Sequence, residues 1–203
     1  LDNYLTALFI GLPSLLELFI RNALHLQKYI FMILTEFKSI KAFVLDVDGV
    51  LTDGTVQVNE DGHQLRTFNI KDGYAMQLAI KRGYPIFIIT GGGSIGVEKR
   101  MKGLGITEVH SKVSDKLSKM SELAYTYKLE LNQLMYIGDD IPDFSCMKAV
   151  GVAVSPADGV EEIKGISHYV SGFCGGKGVV REMIEKVMKV QGNWYEDETI
   201  KSI

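Results

Sequence analysis

Cysteine and proline are scarce in this chain, with two and four among 203 residues. Cys146 and Cys174 are too few for a disulfide framework, and neither has a Cys or His neighbour at metal-ligand spacing. Both are read as reduced thiols of a cytoplasmic protein. A basic surplus is also missing: the formal net charge is −3, so no overall field exists to hold nucleic acid or an anionic membrane surface. There is no apolar run of membrane-spanning length either. The most apolar stretch, residues 1–31, is interrupted by Pro13, Glu17, Arg21, His25 and Lys28, whereas a spanning helix needs roughly twenty mostly apolar residues. It also lacks the basic start and small-residue cleavage site of a signal peptide. Met32 is the first methionine, so residues 1–31 read as an extension ahead of a working domain at 32–192, with a tail at 193–203. A second reading makes Ser14 to Phe31 an amphipathic docking helix.

From residue 40 onward, short apolar runs alternate with helical patterns, the signature of a parallel sheet covered by helices on both faces. The runs are 42–47, 85–90, 108–110, 134–139 and 150–154, each short enough for a buried strand. The spacing predicts helices from Gly73 to Arg82, Ile95 to Leu104, Lys116 to Tyr127 and Asp143 to Ala149. The expected fold is α/β, a Rossmann-like three-layer parallel sheet. One segment breaks the rhythm: TVQVNEDGHQLRTFNI at 55–70 alternates on either side of NEDG and predicts a β-hairpin turning at Asn59–Gly62.

In open α/β sheets ligands bind beyond the carboxyl ends of the strands, and there the sequence places its polar residues. The first strand runs into Asp46, Asp48, Gly49, Thr52 and Asp53, and the second into Thr90, Gly91 and Gly92. Lys116 follows the third, and the fourth ends in Gly138, Asp139 and Asp140, with Asp143 shortly after. Carboxylates crowded into a partly dry cleft cannot all stay ionised without a cation. Magnesium, which takes one or two carboxylates together with waters and a substrate phosphate, suits Asp46 and Asp139. A carboxylate nucleophile such as Asp46 splits one hard phosphate hydrolysis into two easier steps. Asp48 stands where a general acid/base is needed. Thr90 and the N–H groups around Gly91 and Gly92 can hold phosphoryl oxygens, while Lys116 offsets the accumulated negative charge. A pair of aspartates after a strand can also be a plain cap. Lys112 and Lys119 compete with Lys116, and His63, His110 and His168 have no partner at ligand spacing.

DVDGVLTDG, IITGG, the lysine of SDK and GDDIPD together resemble the four ordered motifs of the haloacid-dehalogenase-like phosphohydrolase superfamily. Within it, FNIKDGYAMQLA at 68–79 and GGKGVVRE at 175–182 resemble the 3-deoxy-D-manno-octulosonate 8-phosphate phosphatases of lipopolysaccharide precursor synthesis. The resemblance implies Asp46 as nucleophile and metal ligand, Asp48 as acid/base and ligand through its backbone carbonyl, and Asp139 as the third protein ligand of Mg2+. Thr90 and Lys116 would hold the phosphate, and Asp143 would orient Lys116 or a metal-bound water. A basic residue can follow ThrGly in this family, whereas this chain has Gly92.

No room exists between the motifs for a cap domain, so the hairpin is the only flap. The resemblance implies a homotetramer whose hairpins associate and whose segment from Gly176 to Arg181 helps to cover a neighbouring site. Arg66, Lys71, Asp72 and Lys177 are then candidates for gripping an acidic sugar phosphate. Competing readings are a phosphatase for a nine-carbon sugar acid, a phosphomutase (which the missing cap disfavours), a catalytically silent oligomeric scaffold, and a phosphate-accepting receiver. The receiver would place its phosphorylated aspartate on a middle strand.

Overall fold

The computed structural model describes residues 15–195, 197, 199 and 200, and the described residues form two compact units divided between Thr35 and Glu36. Most of helix α1, Leu15–Ser39, belongs to the first, where Leu18, Phe19, Leu24 and Phe31 are exposed. The helix anticipated from Ser14 therefore continues past Phe31, while its first residue and the preceding segment lie outside the described residues. Among the described residues no helix is long and apolar enough to cross a membrane.

The second unit is built on a six-stranded sheet: β1 (Ala42–Leu45), β4 (Ile86–Ile89), β5 (Glu108–His110), β6 (Leu134–Ile137), β7 (Val152–Ser155) and β8 (Tyr169–Val170). The order is β5-β4-β1-β6-β7-β8 and every pairing is parallel. Four of these strands are buried along their whole length, which is why they read as continuous apolar runs rather than alternating ones. Leaving β1, the chain first builds β4 and β5 on one side, then returns to lay β6, β7 and β8 on the other. The switch in direction opens a crevice at the carboxyl end of β1.

Helices α2 (Ile70–Lys81), α3 (Ile95–Gly103), α4 (Lys116–Thr126), α5 (Phe144–Ala149), α6 (Glu161–Lys164) and α7 (Val179–Val190) complete the unit. Ala42 and Val44 face one layer, where Met120, Leu123, Cys146 and Met147 of α4 and α5 close the core. α2 and α7 pack on each other, and Ala75 and Met76 of the first and Met183, Ile184 and Val187 of the second are buried. β8, α6 and α7 are additions to the expected elements. α7 carries buried residues at 179, 180, 183, 184, 187 and 188, a full helical stripe that its use as a motif had hidden.

The hairpin is present but shorter than its alternating pattern predicts, with β2 at Gln57–Val58 and β3 at Gln64–Leu65. The Asn59 N–H donates to His63 O at 3.1 Å and the Gly62 N–H to Asn59 O at 2.9 Å, closing the turn where NEDG stands. The pattern ends early because Asn69 caps α2, its Oδ1 accepting from the Lys71 N–H at 2.8 Å.

Candidate active site

Asp46 emerges from β1 and the loop turns sharply through Val47–Thr52. Thr52 shapes this turn, since the N–H groups of Gly49 and Gly54 both donate to its hydroxyl. Gly49 has φ +89°, and a Cβ there would stand 2.0 Å from Asp139 Oδ2. Only glycine lets the loop lie so close to that carboxylate.

The other members arrive from neighbouring strands. Thr90 follows β4, and its hydroxyl accepts from the Gly92 N–H at 3.2 Å. Lys116 is the first residue of α4, a helix capped by Asp115, whose Oδ1 accepts from the Ser118 N–H at 2.9 Å. Asp139 follows β6. Together with Gly91, Gly92, Ser114 and Asp140 these residues line a cleft of about 350 Å³. Of the three lysines that competed for the role, Lys116 alone enters: Lys112 packs over Gly93 and Lys119 pairs with Glu122.

Lys116 Nζ lies 2.7 Å from Asp143 Oδ1 and 2.9 Å from Asp46 Oδ1, with its side chain only 7% exposed. Asp143 is held further by the Tyr136 hydroxyl at 2.7 Å and by the Asp139 N–H at 3.2 Å. It is thus saturated with donors and fixes the ammonium. Tyr136 is a contributor that sequence reasoning missed, because inside LMYIGD it reads simply as part of an apolar strand.

The electrostatics are unbalanced. Burial pushes Asp46 up to about 6, with the charge of Asp143 adding and Lys116 opposing. Burial pushes Asp139 up to about 7, helped by Asp46, Asp143 and Asp140. Lys116 is pulled down by burial, but the charges of Asp46 and Asp143 outweigh that and hold it above its ordinary range. Asp139 Oδ1 is buried without a hydrogen-bond partner, and Asp46 Oδ1 has only the Lys116 ammonium beside it, at 2.9 Å. Oxygens of Asp46, Asp139 and Asp143 all lie within 4.8 Å of one another. Hard oxygens at this spacing, with Asp139 Oδ1 orphaned among them, fit a small divalent cation, which would supply the missing positive charge.

The remaining expected residues fall elsewhere. Arg66 reaches from the hairpin to Asp48, with Nε 2.6 Å from Oδ1 and Nη2 3.1 Å from Oδ2. Its side chain therefore occupies the space beside Gly92 and grips the loop aspartate. Asp72, expected at the sugar, is 1% exposed and does not line the cleft. Its Oδ1 accepts from the Arg181 N–H at 2.7 Å, which caps the start of α7 from another helix. Burial pushes this carboxyl up to about 6. Lys71 and Lys177 line a different groove, of about 600 Å³, with Arg181 and Lys186, and Lys177 Nζ stands 3.5 Å from Asp53.

Comparison with known proteins agrees with this geometry. Residues 97–183 match the family model of haloacid dehalogenase-like hydrolases. The chain is 37% identical over 153 residues to the 3-deoxy-D-manno-octulosonate 8-phosphate phosphatase of Yersinia pestis, covering 75% of this chain and 82% of that protein. The enzyme of that name from Escherichia coli K12 is 34% identical over 160 residues, with 79% and 85% covered. The crystal structure of the Moraxella catarrhalis phosphatase in complex with magnesium, phosphate and KDO superposes with a TM-score of 0.78 at 36% identity, covering 80% of this chain and 93% of that one. A cobalt-bound form from Haemophilus influenzae gives 0.75 at 29% identity, with 77% and 92% covered.

Proposed function

The chain belongs to the 3-deoxy-D-manno-octulosonate 8-phosphate phosphatase family of haloacid dehalogenase-like hydrolases, and from that premise we propose that it hydrolyses this sugar-acid phosphate, with Mg2+, to the free sugar acid and phosphate. The observation that carries the reading is the cluster of Asp46, Asp139, Asp143 and Lys116 at the carboxyl edge of the sheet, with Asp139 Oδ1 buried and unpartnered.

In this reading a carboxylate oxygen of Asp46 attacks phosphorus, forming an aspartyl-phosphate, while Asp48 gives its proton to the departing sugar oxygen. Asp48 then takes a proton from the water that cleaves the acyl phosphate, and Asp46 is regenerated. Thr90, the Gly91 N–H and Lys116 line the cleft where the phosphoryl oxygens bind and stabilise the charge that builds on them, and the Gly92 N–H joins them on leaving the Thr90 hydroxyl. Asp46, Asp139 and the carbonyl of Asp48 would hold Mg2+, which supplies charge neutralisation at the phosphoryl group. Asp143 keeps Lys116 aimed at the cleft. The Asp48–Arg66 pair must loosen when Asp48 acts as acid, because both its oxygens accept from Arg66 in the closed arrangement.

Among the described residues no cap domain covers the cleft, and the hairpin segment exposes Val56, Val58 and Leu65. Both features support a homotetramer in which hairpins associate and Lys71 and Lys177 reach a neighbour's sugar. The free thiols of Cys146 and Cys174 accord with a cytoplasmic location. Phosphate release from a panel of sugar-acid and simple sugar phosphates tests the assignment. The octulosonate 8-phosphate is expected to show the highest kcat/KM. Preference for a nine-carbon sugar-acid 9-phosphate would keep the mechanism and move the substrate, and no metal-dependent hydrolysis of any of them would refute the reading.

A further inference from the structure

Apart from the Lys177 side chain, the backbone turn Cys174–Gly178 is tied within its own chain to three segments at once. The Gly176 N–H donates to Val50 O in the catalytic loop at 2.9 Å. The Gly175 N–H donates to Asp158 Oδ1 at 2.9 Å, and the Asn69 side-chain amide donates to Gly176 O at 3.3 Å. Asp158 stands next to Gly159 and Val160, and the Val160 N–H donates to Asp139 O at 2.9 Å. The turn is thus tied to the loop after β1, to the start of α2 and to the loop that holds Asp139.

Its contact with the catalytic loop leaves no space for a side chain. A Cβ at Gly175 would stand 1.9 Å from Gly49 O and 2.8 Å from Thr52 O. At Gly176, where φ is +62°, it would stand 2.7 Å from the carbonyl carbon of Thr52. Gly49 also faces the Asp139 carboxylate, with 2.0 Å from its virtual Cβ to Oδ2. Gly49 is therefore in close contact with both the glycine turn and a carboxylate of the acidic cluster.

We propose that the Gly175–Gly176 turn is a positioning element for the cation site, setting the gap between the Asp46–Gly49 loop and Asp139. The inference rests on the reading of that cluster as the Mg2+ site. Closely packed backbone cannot absorb an inserted methyl group without movement. Bringing the 1.9 Å contact out to 3.0 Å displaces the loop by roughly 1 Å. Magnesium demands near-ideal octahedral geometry at about 2.0–2.1 Å, so a shift of this size falls on affinity as well as rate.

The test is Mg2+ affinity by titration calorimetry, alongside kcat, KM and the metal-free melting temperature. Gly175→Ala is expected to weaken Mg2+ binding about tenfold or more and to lower kcat about a hundredfold. Gly172→Ala, with no atom near its virtual Cβ, is the control and should match wild type. Asp158→Ala releases the turn without inserting an atom and should weaken Mg2+ in the same direction. Asp158→Asn keeps an acceptor for the Gly175 N–H and should restore binding, whatever the fate of Gly175→Ala. A folded Gly175→Ala protein with wild-type Mg2+ affinity and kcat overturns the proposal; so does equal behaviour of the two Asp158 variants if Gly175→Ala does not fold. Failure of the wild type itself to bind Mg2+ overturns the reading beneath it.

Discussion

Two clusters built around aspartate behave in opposite ways. At the far end of α2, Asp197 accepts from Lys81 at 2.7 Å and from the Thr199 hydroxyl at 2.6 Å, with Arg82 at 3.6 Å. One carboxylate meets two cations, and its bonds to Lys81 and Thr199 hold it down to about 2. In the cleft, Asp46 and Asp143 share one ammonium while Asp139 has no ion pair among the described residues, and Asp46 and Asp139 are pushed up to about 6 and 7. The first cluster is complete as it stands. The second is a fold that accepts an electrostatic cost at one place, which a cation relieves.

The strongest attack on this contrast is Asp46→Asn. It should lower kcat at least about ten-thousandfold, because the nucleophile is gone while Lys116 and the phosphate loop remain. Since a carboxylate held above its ordinary range is removed, the metal-free melting temperature at neutral pH should not fall; a clear drop would mean the cluster is already satisfied without a cation.

Lys116→Ala should cost about a hundredfold or more in kcat. It should also destabilise the metal-free protein by about 3 kcal/mol, because two buried carboxylates lose their common partner. Urea unfolding without metal reads the second quantity. Unchanged stability would say that the ammonium merely solvates the cleft.

The pH dependence follows from the sign of the shifts. In the metal-free protein Asp46 and Asp139 titrate above the usual 3.8, so their favourable contribution is present below about pH 4 and lost as pH rises through 6 and 7. Mg2+ binds the ionised forms. The rise in melting temperature on adding Mg2+ should therefore grow from pH 5 to pH 8 and level off above 7, as thermal unfolding would record. A rise that is largest at pH 5 would contradict the assignment.

The smallest effect belongs to the satisfied cluster. Asp197→Asn should leave kcat unchanged and move the melting temperature by at most about 3 °C, less at high salt. Loss of activity there would erase the contrast from the other side.

How far this was legible in the sequence depended on whether the deciding contact was local. Strands such as IFII and LMYI are buried on both faces, so their continuous apolar runs were sufficient. The cleft was legible because the sheet gathers its strand ends at one edge, whatever the helices do. Contacts between distant residues were not. Asp72 and Arg181 are a hundred and nine positions apart, and only the packing of α2 on α7 makes one cap the other. Arg66 and Asp48 meet because the hairpin folds back over the loop, a geometry that alternation between polar and apolar residues does not encode. β8 is two residues long, too short for any period to show.

The most direct test of the central claim is rapid acid quenching of wild type and Asp46→Asn after mixing with Mg2+ and 3-deoxy-D-manno-octulosonate 8-phosphate carrying a labelled phosphoryl group. The account predicts label bound covalently to the wild-type chain within a single turnover, located on Asp46 and absent from the variant. Release of labelled phosphate at full rate with no protein-bound label, or the same label on Asp46→Asn, would contradict it.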